Sequence, residues 1–122
     1  MTDTQKQYYK EMLSRGRLIP LRIEDKLNGF ITFFIGKFNP NKYIKKRQWT
    51  IVNDEYWGDI CYIDQLFFYN DGIKNHGLQI WRELVNYIRE TYPKIKTIRW
   101  ARYKNGKVNV FYKNIRSGYV YN

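Results

Sequence analysis

One carboxylate stands inside an otherwise apolar run. From Asp59 to Tyr69 the chain reads Asp-Ile-Cys-Tyr-Ile-Asp-Gln-Leu-Phe-Phe-Tyr, and Asp64 and Gln65 are the polar residues of its interior. A carboxylate taken out of water must be matched by a cation or a hydrogen-bond donor, so Asp64 implies a neighbouring Lys, Arg or backbone N–H, or a chemical task. Directly after it, Asn70-Asp71-Gly72-Ile73-Lys74-Asn75-His76-Gly77-Leu78-Gln79 leads into an amphipathic run that continues to Pro93. A buried strand, a glycine-bearing loop and a helix with an open N-terminus bring together unpaired backbone N–H groups and the positive end of a helix dipole. That junction is a natural seat for a phosphate or pyrophosphate, and a nucleotide-like ligand is the first expectation.

Other chemistries find little support. The chain has one cysteine and one histidine, so a structural zinc site is not expected and Cys61 can form no internal disulfide. Within its apolar strand pattern Cys61 reads as a small buried hydrophobe. His76 falls in the phosphate loop, where it reads as a loop donor or a solvent-facing residue. The polar start Met-Thr-Asp-Thr-Gln-Lys-Gln and the lack of a long apolar run predict neither a signal peptide nor a membrane helix, hence a cytoplasmic protein.

These residues need elements to place them. At 122 residues the chain has the length of one domain, 1–122, able to bury an ordinary core. Tyr8, Tyr9, Met12 and Leu13 fall at helical spacing over 4–14, with Gly16 as a stop. The segments 18–24 and 30–36 read as a hairpin with its turn in Asp25 to Gly29. After Asn39-Pro40-Asn41, a basic loop over 42–47 precedes an expected strand at 48–52. The central strand, 59–69, is apolar enough to be covered on both faces. Over the helix at 73–92, Leu78, Trp81, Leu84, Val85, Ile88 and Tyr92 form an apolar stripe, and Pro93 ends it. A strand at 95–103, a short helix at 107–114 and a final strand at 118–121 complete the reading. Strand, helix, strand over 59–103 predicts a parallel pair, and the earlier hairpin makes the sheet mixed. The fold class is α+β, with a mixed, mostly antiparallel central sheet and one parallel strand pair joined by a long helix.

Two stretches resemble one family. Ile63-Asp64-Gln65-Leu66-Phe67-Phe68 followed by Lys74-Asn75-His76-Gly77-Leu78-Gln79 resembles the fourth strand and the Gln/Arg-x-x-Gly-x-Gly/Ala acyl-CoA loop of the GNAT superfamily of N-acetyltransferases. Asn105-Gly106-Lys107-Val108-Asn109-Val110-Phe111-Tyr112, with Gly118-Tyr119 after it, is similar to that family's Asn-x-x-Ala-x-x-Phe-Tyr segment and closing Gly-Phe, and residues 19–34 look like its early hairpin. The resemblance implies a GNAT-like fold and transfer of an acetyl group from acetyl-CoA, as co-substrate, to an amine. It implies that amides of Lys74, Asn75, His76, Gly77, Leu78 and Gln79 hold the CoA pyrophosphate, and that a backbone N–H at Phe67 or Phe68 polarises the acetyl carbonyl. It further makes Asp64 the general base, Tyr112 the acid that protonates the departing thiolate, and Asn105 a residue beside the cofactor. The residue types suit those tasks, since a thioester is attacked by an amine that has lost its proton and a hydroxyl can return one to the leaving group. The chain departs from the pattern where Gln79 replaces Gly or Ala, where Lys74 replaces Gln or Arg, and in the longer spacing from Tyr112 to Gly118.

The charge is +11 and unevenly placed. Residues 37–47 hold Lys37, Lys42, Lys45, Lys46 and Arg47 with no acid, and residues 94–122 hold eight basic residues and no acid. Two basic patches on a near-neutral body imply a polyanionic partner. For the enzyme this points to an acidic or nucleic-acid-associated amine acceptor, and a homodimer is compatible with the sequence. A second reading, favoured by Gln79, is a non-catalytic protein of the same fold, a phage or regulatory factor, that binds nucleic acid or a partner protein through its basic, aromatic surface. A third is a nucleic-acid binder of unrelated fold, for which no helix-turn-helix, RNP or zinc-finger signature is present.

Overall fold

The computed structural model describes residues 1–69 and 76–116. The loop at 70–75, with Lys74 and Asn75, and the expected final strand at 118–121 lie outside the described residues.

Helix α1 spans Asp3–Ser14 and begins at a capping box: the Gln5 amide donates to Thr2 Oγ1 at 3.1 Å, and the Thr2 amide donates to Gln5 Oε1 at 2.9 Å. Gly16, at φ +70°, allows the chain to leave the helix. Strands β1 (Leu18–Ile23) and β2 (Lys26–Gly36) form the expected hairpin, through a tighter turn in which Glu24 and Asp25 both take positive φ. Gly29 therefore lies inside β2, opposite Phe68, where a Cβ would collide with the Phe67 carbonyl. Helix α2 (Pro40–Ile44) occupies part of the expected basic loop. The strand expected at 48–52 is absent: both edges of β2 are taken by β1 and β3, and Trp49, at φ +65°, instead packs its ring on Tyr8 and Tyr9.

Strand β3 (Ile60–Phe68), helix α3 (His76–Thr91) and strand β4 (Thr97–Lys104) form the predicted parallel unit. Strand β5 spans Lys107–Asn114, where a short helix was expected. Asn105 and Gly106, both at positive φ, make a two-residue turn into it, and β5 runs back antiparallel to β4 along its whole length. The sheet order is β1-β2-β3-β4-β5, with β3–β4 the parallel pair.

The sheet is covered on two faces. Against one lies α3, whose Ile80, Leu84, Val85 and Ile88 pack on Leu21, Ile31, Phe33, Cys61 and Ile98. Ile80 takes the buried place expected for Leu78, which is exposed. Against the other face Tyr8 and Met12 of α1 and Tyr43 of α2 meet Phe34, Ile60 and Tyr62. Burying a large apolar side chain is worth roughly 1.5–3 kcal/mol, so these two layers hold α1 and α3 on opposite sides of β3.

Candidate functional site

Asp64 sits at an irregularity in β3. Phe33 of β2 pairs with Ile63 and Thr32 pairs with Gln65, so Asp64 has no partner in β2. Such a bulge redirects a side chain and is frequent beside active sites. The carboxylate points to the α1 face, where the Tyr8 hydroxyl donates to Oδ2 and also lies 2.6 Å from Thr32 Oγ1. Lys46 Nζ stands 3.0 Å from the same oxygen, and the two side chains are 5% and 10% exposed. The Lys46 ammonium lies above the rings of Phe34 and Tyr8, at 5.6 and 5.8 Å from their centroids. The implied cation for Asp64 is therefore Lys46, from the first basic patch. Both contacts fall on Oδ2, and no described residue hydrogen-bonds Oδ1. A shallow groove between α1 and residues 49–51 reaches Tyr8, with Asp3, Gln7, Glu11, Arg15 and Trp49 among its lining.

Beyond Tyr62 the sheet opens. The parallel pairing of β3 with β4 covers Ile60–Tyr62 against Thr97–Arg99 and extends no further, although both strands continue. The rest of β3 is thus paired with β2 on one side and faces a gap on the other. Phe67 and Phe68 lie at the end of this stretch. Phe67 stacks on Phe30 at 5.4 Å, while Phe68 lines an apolar cavity of about 110 Å³ with Leu66, Gly77, Ile80, Trp81 and Leu84. In the first turn of α3, His76 is half-buried, Gly77, Leu78 and Gln79 are exposed, and no acid is present to oppose an anion. A Cβ at Gly77 would make only an ordinary contact with Phe68. The exposed turn and the gap beside it fit an elongated ligand with an anionic group.

The other two expected site residues lie elsewhere. Asn105 is the first residue of the β4–β5 turn, a position its tolerance of positive φ explains. Tyr112, 59% exposed, is on β5 opposite Arg99, two strands from β3, roughly 10 Å at normal strand spacing. The structure thus brings Phe68 against Gly77 in the first turn of α3, sets Asp64 earlier on the same strand and on its α1 face, and leaves Tyr112 two strands away and Asn105 at the β4–β5 turn. Sequence reasoning missed Tyr8 and Lys46 as the partners of Asp64, and Thr32 as the second partner of the Tyr8 hydroxyl. The spacing of Tyr8 and Met12 marks a buried helical face, but nothing local announces that its hydroxyl meets a residue on β3.

Burial, followed by the Asp64 charge, raises the Tyr8 hydroxyl pKa well above the ordinary tyrosine value. Burial with Glu55 nearby does the same for Tyr43, and burial raises the Cys61 thiol. In each case the folded state holds a proton that the unfolded chain releases at about pH 9–10. The unfolded state then binds fewer protons, so stability is intact below that range and falls as pH rises through it. Urea melts at pH 8 and pH 10.5 should show a clear loss, and equal midpoints would contradict the burial of these groups.

Among the described residues no group of three His, Cys, Asp or Glu side chains could hold a metal ion, and no described helix is long and apolar enough to cross a membrane. No family model matches the chain, and no curated protein matches it. A crystal structure titled "putative acetyltransferase", from Staphylococcus aureus Mu50, matches it with a TM-score of 0.54 at 15% sequence identity, over 90% of this chain and 79% of the other. At that identity the likeness shows the fold alone. This chain accordingly has a GNAT-like α+β fold, a mostly antiparallel sheet with one parallel pair joined by a long helix.

Proposed function

We propose that this chain is an N-acetyltransferase that moves an acetyl group from acetyl-CoA to an amine. The observation that carries the reading is the opening of the β3–β4 pair beyond Tyr62 and Arg99, beside the exposed first turn of α3. Acetyl-CoA, when bound, supplies an activated thioester. The amides of His76, Gly77, Leu78 and Gln79, with Lys74 and Asn75 before them, take its pyrophosphate, where helix-end N–H groups and the helix dipole favour negative charge. A backbone N–H at Phe67 or Phe68 would hold the acyl oxygen, where a fixed donor is worth most as charge develops. The amine enters from the groove by Tyr8, where Asp3 suits a cationic group, and gives its proton to Asp64 Oδ1, directly or through water. As the new C–N bond forms the C–S bond would break, the CoA thiolate would leave and take a proton from solvent, and Asn105 and Tyr112 have no part in this scheme.

Support for a second reading, a non-catalytic protein of the same fold, comes from the Lys46–Asp64 ion pair, which compensates the proposed base with a buried ammonium. Thermal melting with excess acetyl-CoA separates the two. A ligand at about 100 times its Kd adds roughly 2.7 kcal/mol, which raises Tm by on the order of 10 °C in a chain of this size. The enzyme reading expects that shift, and an unchanged Tm at millimolar acetyl-CoA leaves the non-catalytic reading standing.

A further inference from the structure

The β4–β5 hairpin has a feature that the acyl-transfer scheme does not use. Residues 94–122 contain no acid, and the cations of the hairpin are ordered by its register. Ile98 pairs with Lys113, Trp100 with Phe111, Arg102 with Asn109 and Lys104 with Lys107. Directly paired residues share a face, and alternate pairs fall on the same one. The face that begins with Ile98, on the α3 side, therefore carries Lys113 at its base, the Trp100–Phe111 pair in the middle, then Arg102, with Lys104 and Lys107 at the tip.

The aromatic part is built as a platform. Trp100 and Phe111 lie nearly parallel, 5.8 Å apart at 18°, and Trp81 of α3 braces Trp100 edge-on at 5.1 Å. The Arg102 guanidinium lies 5.7 Å from the Phe111 centroid, above its ring. Phe111 is 41% exposed at the sheet edge. Among the described residues, none of Arg102, Lys104, Lys107 and Lys113 pairs with a carboxylate. The opposite face is less available, since the Tyr103 hydroxyl donates to the Ile44 carbonyl at 2.7 Å.

We infer that this face binds single-stranded nucleic acid, independently of whether the chain acetylates anything. A row of cations follows a phosphate backbone, and a ring pair with an arginine plane offers unpaired bases a stacking surface. A second copy of the chain is a poor occupant, because the same cations would face one another. A duplex would leave the ring platform without bases to stack on. The first basic patch is a weaker candidate because Lys46 is buried against Asp64.

The test is fluorescence anisotropy with a labelled oligothymidylate of ~16 nucleotides and a duplex of equal length, from low to moderate salt. The oligothymidylate should bind tighter than the duplex. Each phosphate neutralised on a single strand contributes about 0.7 to the salt slope. Changing Lys104, Lys107 and Lys113 together to Gln should therefore flatten the slope by about 2 and weaken binding ~100-fold at 0.1 M salt. Phe111→Leu should weaken binding roughly 5- to 150-fold with the slope unchanged. The Lys42→Gln, Lys45→Gln double variant should leave both quantities near wild type. No binding at low salt, tighter binding to the duplex, or affinity and slope indifferent to both ribbon variants overturns the proposal.

Discussion

Lys46→Met should cost about 3–5 kcal/mol of folding stability, the range for removing one partner of a buried ion pair. The basis is that Lys46 and Asp64 are 5% and 10% exposed and 3.0 Å apart. Methionine preserves the stem over Tyr8 and Phe34 while removing the charge, so the loss reports the stranded carboxylate. The Tyr8 hydroxyl would remain as a donor to Asp64, which places the effect nearer the lower end. Removing the carboxylate as well should restore much of the stability, because replacing both members of a buried pair with well-packed apolar groups is often close to neutral. Urea denaturation of Lys46→Met and of Lys46→Met with Asp64→Leu measures both. A single variant within 0.5 kcal/mol, on the scale of ordinary surface changes, would mean that the pair is solvated and Asp64 is not held as described.

Asp64→Asn should lower kcat/KM for acetyl transfer by about 10²–10⁴, the usual contribution of a positioned general base. The substitution keeps the shape of the side chain and can keep the contact with Tyr8, but it cannot accept a proton at Oδ1. It also leaves Lys46 unpaired, so the comparison belongs well below the melting point of the variant, with circular dichroism confirming the fold. The KM for acetyl-CoA should hold, since the proposed pyrophosphate seat lies in the first turn of α3. Release of free CoA thiol with a set of primary amines is the readout. A variant within threefold of wild type would remove Asp64 from the chemistry.

Much of the fold was legible because its strongest signals are local. The apolar run around Cys61 and Tyr62, the helical stripe through Leu84 and Ile88 and the hairpin at β1–β2 each follow from periodicity, and each is observed. The segment Lys107–Asn114 was misread although its own pattern was plain. Val108, Val110 and Tyr112 recur at strand period against Lys107, Asn109, Phe111 and Lys113, and Asn105-Gly106 is a strong hairpin signal. The expected helix and the placement of Tyr112 on it both give way to strand β5. For the candidate site, the sequence marks Asp64 as a polar residue in an apolar run but carries no sign of its partners. Tyr8 and Lys46 lie far from it in sequence and meet it only through packing of α1 and the chain after α2 on the sheet. The opening of β3 from β4 is likewise a matter of register, which no single strand records.

Amide hydrogen exchange with and without saturating acetyl-CoA tests most directly the proposed acyl-CoA seat at the end of β3 and the start of α3. Exchange should slow at Phe67, Phe68 and His76–Gln79, with the β4–β5 ribbon unchanged. Exchange at those amides unaffected by acetyl-CoA, or protection confined to the ribbon, would contradict it.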